Sequence, residues 1–134
     1  MPKTLDATTR TAHAAANIAL TREFWDRAIN RRDPTGTKAL LAPGFVHHEP
    51  QLQPGAEGLA AYLAQLLSEN PALSIEPARH IADGDFVVAH HRRAHADGEI
   101  ATIDIMRVSG GKIAEYWHVF QPVPTVLANL NGMF

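Results

Sequence analysis

Histidine is the residue type in this sequence that most clearly offers chemistry. Eight histidines are present in 134 residues, and six of them fall in three groups: His47 with His48, His90 with His91 and His95, and His118. An imidazole has a pKa of about 6.5, so it can accept a proton at neutral pH and return it to another atom. A carboxylate beside the ring would fix its tautomer and stabilise its charged form. Asp104 lies in an apolar stretch and is the candidate for that role.

Side-chain alternation indicates which of these groups can meet. Every second residue of a strand points to the same face, so His118 shares a face with Tyr116 and Phe120. If Asp104 orients His118 as a base, then Tyr116 or His48 could donate a hydrogen bond to a developing enolate oxygen. Such a set suits proton abstraction next to a carbonyl group, as in isomerisation, aldol-type ring closure or dehydration.

The loop at residues 109–111 leaves two registers open for the strands that carry this pair. A three-residue loop would place Asp104 opposite Tyr116 and diagonal to His118, close enough for the side chains to meet. A two-residue loop would put Asp104 with Glu115 and Trp117 instead.

Further side chains are expected around the catalytic candidates. His90 is predicted to point inward and His48 to lie at the cavity mouth. The predicted pocket lining comprises His90, Arg92, Trp25, Phe24, Tyr62, Leu63, Met106 and Phe120. Two plainer interpretations remain open: His118 could be a hydrogen-bonded core histidine, and Asp104 could form a structural ion pair with Arg92.

A metal site is an alternative use of the same histidines. His48, His90 and His118 with Asp104 would form a set of three imidazoles and one carboxylate, suited to zinc, iron, nickel or copper. No His-x-His or His-x-x-x-His pair lies among them, so the spacing does not support this set. We therefore favour a site without metal or other cofactor.

Composition excludes several other classes of function. The chain has no cysteine, which rules out disulfides, thiolate zinc sites and cysteine nucleophiles. A net charge of −2 with mixed signs gives no electrostatic case for nucleic acid or an anionic membrane as partner. No apolar stretch approaches the length of a membrane span and residues 1–17 do not resemble a signal peptide, so we expect a cytoplasmic protein. Hydrophobic residues at 46% predict one globular domain over residues 1–134.

Two helices followed by four strands are predicted to position these residues. Apolar residues at helical spacing predict helices over 12–30 and 58–70, with a short one over 37–41. Turn residues separate strands predicted over 73–82, 86–94, 100–108 and 112–120, which read as an antiparallel meander. Pro77 suggests that the first of these is an edge strand or carries a bulge. Helices followed by antiparallel strands predict an α+β fold, with a cavity between the two layers.

Two segments resemble a known family. Residues 101–124, ATIDIMRVSGGKIAEYWHVFQPVP, and residues 45–50, FVHHEP, are similar to motifs of SnoaL-like proteins. That family belongs to the nuclear transport factor 2-like superfamily, with polyketide cyclases, ketosteroid isomerase and limonene epoxide hydrolase. The resemblance implies a cone-shaped fold, with N-terminal helices packed on a curved, mostly antiparallel sheet. It also implies that positions 104 and 118 both face the pocket, which favours the three-residue loop.

The chain departs from the family pattern at the residues that would carry chemistry. The aspartate of the family's H-W-D motif often serves as acid and base in aldol-type cyclisation, and His118 stands at that position here. The family's Q-H-N-P reads His47, His48, Glu49 and Pro50 in this chain. The cyclase mechanism therefore does not carry over unchanged.

Our leading hypothesis is an enzyme of lyase or isomerase type that performs cofactor-free acid/base chemistry on a small carbonyl compound. The alternative is a non-catalytic module that binds a small ligand in the same cavity. Trp117, expected on the outer sheet face with Ile103 and Ile105, also predicts a homodimer, because an apolar outer face needs to be covered.

Overall fold

The computed structural model describes residues 6–134 and shows two helices packed against one mixed sheet. The elements are α1 (Ala7–Trp25), a π-helical turn (Asp26–Asn30), a short 3-10 helix (Gly36–Leu40), β1 (Leu41–His47), α2 (Gly55–Glu69), β2 (Ser74–Asp83), β3 (Phe86–His95), β4 (Gly98–Ser109) and β5 (Lys112–Pro122). Strands β2 to β5 form an antiparallel meander, and β1 pairs in parallel with β5 in the order β1-β5-β4-β3-β2. The predicted α+β architecture is confirmed.

The face of helix α1 that packs against the sheet is unusually polar. It begins after Asp6, whose side chain accepts a hydrogen bond from the Thr9 backbone nitrogen at 2.9 Å and caps the helix. Phe24 and Trp25 are buried at its C-terminal end, as expected for an amphipathic helix, but Asn17 and Thr21 are buried as well. Polar groups therefore face the sheet from the helix layer.

The core forms where α2 and the π-helical turn meet the inner face of the sheet. Leu59, Leu63 and Leu67 recur at four-residue spacing on α2 and are all buried. They pack in one cluster with Phe24, Ile29, Met106, Ile113 and Tyr116. None of the helices in residues 6–134 is long and apolar enough to cross a membrane.

The turn between β4 and β5 differs from the predicted three-residue loop. Gly110 and Gly111 alone form the turn, with φ angles of 57° and 73°, as a two-residue hairpin turn with two left-handed residues requires. A bulge then adds one residue to β5 at Ala114, between the pairs Val108–Ile113 and Arg107–Glu115. The bulge restores the side-chain phase that the short turn would have reversed.

The bulge places Asp104 and His118 side by side. Asp104 pairs directly with His118, instead of with Tyr116 as predicted from the three-residue loop. Both side chains nevertheless point to the inner face, towards the helices.

Strand β3 has the opposite phase to the predicted one. Val87, Ala89, His91 and Arg93 are buried on the inner face, whereas His90 and Arg92 lie on the outer face. The prediction that His90 points inward is therefore wrong. Because Val87, Val88 and Ala89 are all apolar, hydrophobic alternation does not indicate which face of this strand is buried.

Candidate active site

Asp104 is the centre of a buried hydrogen-bonded cluster on the inner sheet face. Its side chain is 1% exposed, at the middle of β4. Oδ2 lies 3.0 Å from Nδ1 of His91, and Oδ1 is hydrogen-bonded to Nδ1 of His118. The Tyr116 hydroxyl lies 3.4 Å from the same Oδ1. We call these four residues, His91, Asp104, Tyr116 and His118, the Asp104 cluster.

The two imidazoles keep the carboxylate ionised. Burial acts to raise the pKa of Asp104, but the hydrogen bonds and charges of His118 and His91 outweigh it, so the pKa lies below its usual 3.8. An ionised carboxylate only accepts hydrogen bonds. Both rings must therefore carry their proton on Nδ1 when neutral, which leaves a lone pair on each Nε2. Neither Nε2 has a hydrogen-bond partner within residues 6–134, so both can act as bases.

Tyr116 is held in its neutral form. Burial raises the pKa of its hydroxyl well above the usual 10.0, and the negative charge of Asp104 raises it further. The phenol is consequently a hydrogen-bond donor at physiological pH, not a base.

A cleft of about 370 Å³ lies between α1 and β2 and reaches the cluster at His91. Its lining comprises Ala19, Arg22, Glu23, Trp25, Asp26, Asn30, Ile75, Pro77 and His91. The indole of Trp25 connects the cleft to the cluster, since its ring centroid lies 6.0 Å from that of His91 and 5.8 Å from that of Tyr116. The cleft is open to solvent on one side, unlike the enclosed pocket predicted from the sequence.

Several buried polar atoms between the helices and the sheet lack a partner within the described residues. They are Thr21 Oγ1, Trp25 Nε1, Glu49 Oε1, His80 Nε2, Arg93 Nε, His95 Nε2 and Thr102 Oγ1. Buried polar atoms are nearly always hydrogen-bonded in folded proteins. Their concentration in the layer that holds the Asp104 cluster is typical of a site for a polar ligand.

The structure brings together part of the predicted pocket. Phe24, Trp25, Leu63 and Met106 are buried in the adjoining core, and Tyr62 packs against them. Phe120 lies beside His118, with ring centroids 5.8 Å apart, but is 59% exposed at the end of β5.

His48 does not lie at the cavity mouth, and that prediction is wrong. Its Nε2 is 2.6 Å from Oε2 of Glu115, and its ring stacks on Trp117 with centroids 4.8 Å apart. The Glu115 pKa is lowered mainly by this hydrogen bond. Because His47 pairs with Tyr116, the next residue must point to the outer face.

His90 and Arg92 also belong to the outer face. His90 contacts Arg79 and stacks on Phe134, and Arg92 pairs with Glu99 at 3.2 Å. Arg92 therefore does not form the predicted alternative ion pair with Asp104. The alternative metal set also fails, because His48 and His90 lie on the opposite face from Asp104 and His118. Residues 6–134 contain no other group of three side chains suited to hold a metal.

The residues that the sequence interpretation missed lie mostly on β3. His91 replaces its neighbour as the inward imidazole, and Arg93 replaces Arg92. His80 on β2 lies close to His91, with ring centroids 5.8 Å apart. Neighbouring residues of a strand point to opposite faces, so one member of each vicinal pair, His90-His91 and Arg92-Arg93, had to face the helices. The sequence did not indicate which one.

Comparison with known proteins places the chain beside one domain family. The family model described as SnoaL-like domain matches residues 21–116. That range includes His91, Asp104 and Tyr116 and ends just before His118. No curated protein gives a significant match.

Solved structures share the fold. A candidate polyketide cyclase from Bacillus cereus is 24% identical with a TM-score of 0.70, over 90% of this chain and 87% of its own. A candidate ketosteroid isomerase from Kribbella flavida is 20% identical with a TM-score of 0.68, over 89% and 85%. AclR, a candidate hydroxylase from Streptomyces galilaeus, is 21% identical with a TM-score of 0.70, over 81% and 90%. At these identities the likeness shows a common fold only, and the three proteins are named for three different activities.

Proposed function

Because the chain belongs to the SnoaL-like domain family, we propose that it is an enzyme that moves protons on a small carbonyl compound, with the Asp104 cluster as its catalytic centre. The single observation that carries this proposal is a buried, ionised carboxylate that holds two imidazoles in one tautomer. A purely structural carboxylate needs its hydrogen bonds satisfied, but it does not require two bases whose Nε2 atoms stay without partners.

The proposed reaction begins with His118. Its Nε2 takes a proton from the carbon next to the substrate carbonyl, and the C–H bonding pair passes into the enolate. Asp104 holds the ring orientation and stabilises the imidazolium through Nδ1. The same proton then returns from Nε2 of His118 to a different atom of the substrate. Neutral Tyr116 directs its hydroxyl proton at the same carboxylate oxygen of Asp104, 3.4 Å away, and completes the cluster.

Isomerisation, aldol-type ring closure and dehydration all use this sequence of proton transfers, and none of them needs a cofactor. Two of the structural relatives carry names of this kind, a polyketide cyclase and a ketosteroid isomerase. The proposal therefore specifies the chemistry at a carbonyl group and leaves the choice among these outcomes to the shape of the substrate.

A non-catalytic binding module is the second candidate, because the partnerless polar atoms would serve a bound ligand equally well. A cavity sealed by Phe120, Met106 and Trp25, with Asp104 locked to Arg92, would favour it. Met106 and Trp25 are buried, but Phe120 is mostly exposed and Arg92 pairs with Glu99 instead of Asp104. The exposure of Phe120 and the absence of that ion pair favour the enzyme.

Proton exchange tests the catalytic proposal without the natural substrate. A panel of small enolisable ketones and oxo acids, levulinate among them, is incubated with the protein in heavy water, and deuterium incorporation is followed by NMR. For any compound that exchanges, His118→Ala should slow the catalysed rate by about a hundredfold or more. His48→Ala is the matched control on the outer face and should leave the rate unchanged. An unchanged rate in the His118 variant would contradict the assignment.

A further inference from the structure

Arg93 is a largely buried cation on the face of the sheet that holds the Asp104 cluster. It lies on the inner face of β3 and is 5% exposed. Its Nε is buried without a hydrogen-bond partner, and no carboxylate of residues 6–134 forms an ion pair with it. By contrast, the neighbouring Arg92 pairs with Glu99 at the surface. Among the guanidinium nitrogens of Arg93 only Nε is buried without a partner, whereas the two terminal nitrogens are not, so the end of the side chain remains open to an incoming anionic group.

Arg93 lies beside residues of both the cleft and the Asp104 cluster. On β3 it follows His91 by two residues on the same face. Ile75, its direct partner on β2, lines the cleft. Thr102, the direct partner of His91 on β4, has a buried hydroxyl that also lacks a hydrogen bond. Arg93 and Thr102 do not line the cleft themselves, but each is the direct strand partner of a residue that does.

We propose that Arg93 receives an anionic group of the substrate, most simply a carboxylate, so that the ligand is an oxo acid and not a neutral ketone. This inference rests on the proposed function, because the anion would bind in the same cavity as the reacting carbonyl group. It adds that the substrate belongs to the oxo acids. A planar guanidinium matches a carboxylate through two parallel hydrogen bonds. Anchored there, the acid would hold its carbonyl end towards His91 and His118. The ligand charge would also compensate the buried cation.

The anchoring role predicts an unusual effect on stability. Arg93→Met keeps the length of the aliphatic stem and removes the charge. Without ligand, this variant should melt at the same temperature as the wild type or higher, because a largely buried charge without an ion-pair partner opposes folding. If Arg93 has a structural role instead, the variant should melt several degrees lower. A lower melting temperature in Arg93→Met would overturn the proposal.

Ligand-induced stabilisation then tests the substrate class. The probes are benzoate and levulinate, compared with their neutral amides benzamide and levulinamide, in thermal melts at neutral pH. We expect at least one acid to raise the Tm of the wild type by about 3 °C or more at saturation, with no rise from its amide. Arg93→Met should lose this rise, and Arg93→Lys should keep part of it. Equal shifts in wild type and Arg93→Met, or no shift with either acid, would contradict the proposal.

Two control variants separate this inference from the rest. Arg22→Met removes an exposed cation at the rim of the same cleft and should leave the shift intact; loss of the shift there, with Arg93→Met unaffected, would place the anion at the rim and overturn the assignment. His118→Ala should keep the shift while losing proton exchange. Failure of exchange with a retained acid-specific shift contradicts the proposed function alone, whereas retained exchange without the shift contradicts the anion site alone.

Discussion

At the scale of single residues, Asp104 determines what the two imidazoles can do. Each of its oxygens accepts from one ring, so a single negative charge orients both His91 and His118. The carboxylate thus fixes the tautomer of both rings at once, so that each neutral ring presents an Nε2 atom without a proton.

His80 adds a residue-scale prediction about pH. Burial, helped by the charges of His91 and Arg22, lowers its pKa from 6.5 to about 4, against a smaller opposing effect of Asp104. In the unfolded chain the imidazole returns to about 6.5, so the unfolded state binds more protons between these two values. The contribution of neutral His80 to the free energy of unfolding is therefore fully present above pH 6.5 and is lost as the pH falls towards 4. The partial exposure of the ring limits the loss between neutral pH and pH about 5 to roughly 1 kcal/mol.

Urea unfolding of the wild type and His80→Gln, at neutral pH and at pH about 5, measures the contribution of His80 to the free energy of unfolding. The wild type should lose more unfolding free energy on acidification than the variant does. Equal losses in the two proteins would show that His80 is readily protonated in the folded state.

At the scale of elements, two features decide which side chains enter the site, and sequence patterns did not predict either. The α+β order, the four-stranded meander and the shared face of Asp104 and His118 follow from hydrophobic spacing, turn residues and the family resemblance. The bulge at Ala114 does not, because an extra residue in a strand leaves the local alternation unchanged on each side of it. The sequence also does not indicate which face of β3 is buried, because apolar residues occur on both of its faces.

The bulge gives an element-scale prediction. Deleting Ala114 while keeping the two-glycine turn would join the pair Val108–Ile113 directly to Arg107–Glu115. Asp104 would still pair with His118 and both side chains would still point inward, because the deleted residue is the one without a partner. We therefore expect a folded protein that retains proton exchange.

Insertion of one glycine between Gly110 and Gly111 is a companion variant, because it lengthens the hairpin turn without altering the pairs beyond it, and exchange activity should persist there too. Loss of exchange in the folded deletion variant, with exchange retained in the insertion variant, would show that the site needs the bulge itself and not only the pairing of Asp104 with His118.

At the scale of the whole molecule, an apolar strip crosses the outer face of the sheet between its charged side chains. Ile81, Val88, Ile105 and Trp117 form a continuous row across four strands through direct pairs. Ile103 and Val119 pair beside this row and are 36% and 65% exposed. An apolar patch of this kind on a sheet face usually marks an interaction site.

We propose that a second copy of the chain covers this face. In a two-fold contact each copy presents the same patch to the other, so one apolar face is sufficient for both partners. Light scattering should then give twice the 14.6 kDa chain mass, and Val119→Glu should give a monomer, because the contact would bury an unpaired carboxylate. Val126→Glu is the matched control, since Val126 is 88% exposed in the C-terminal segment outside the sheet, and should remain dimeric. The Asp104 cluster lies on the opposite face, so a monomeric Val119 variant should keep its exchange activity. A wild-type monomer at all concentrations, or a dimer that Val119→Glu leaves intact, would contradict this interface.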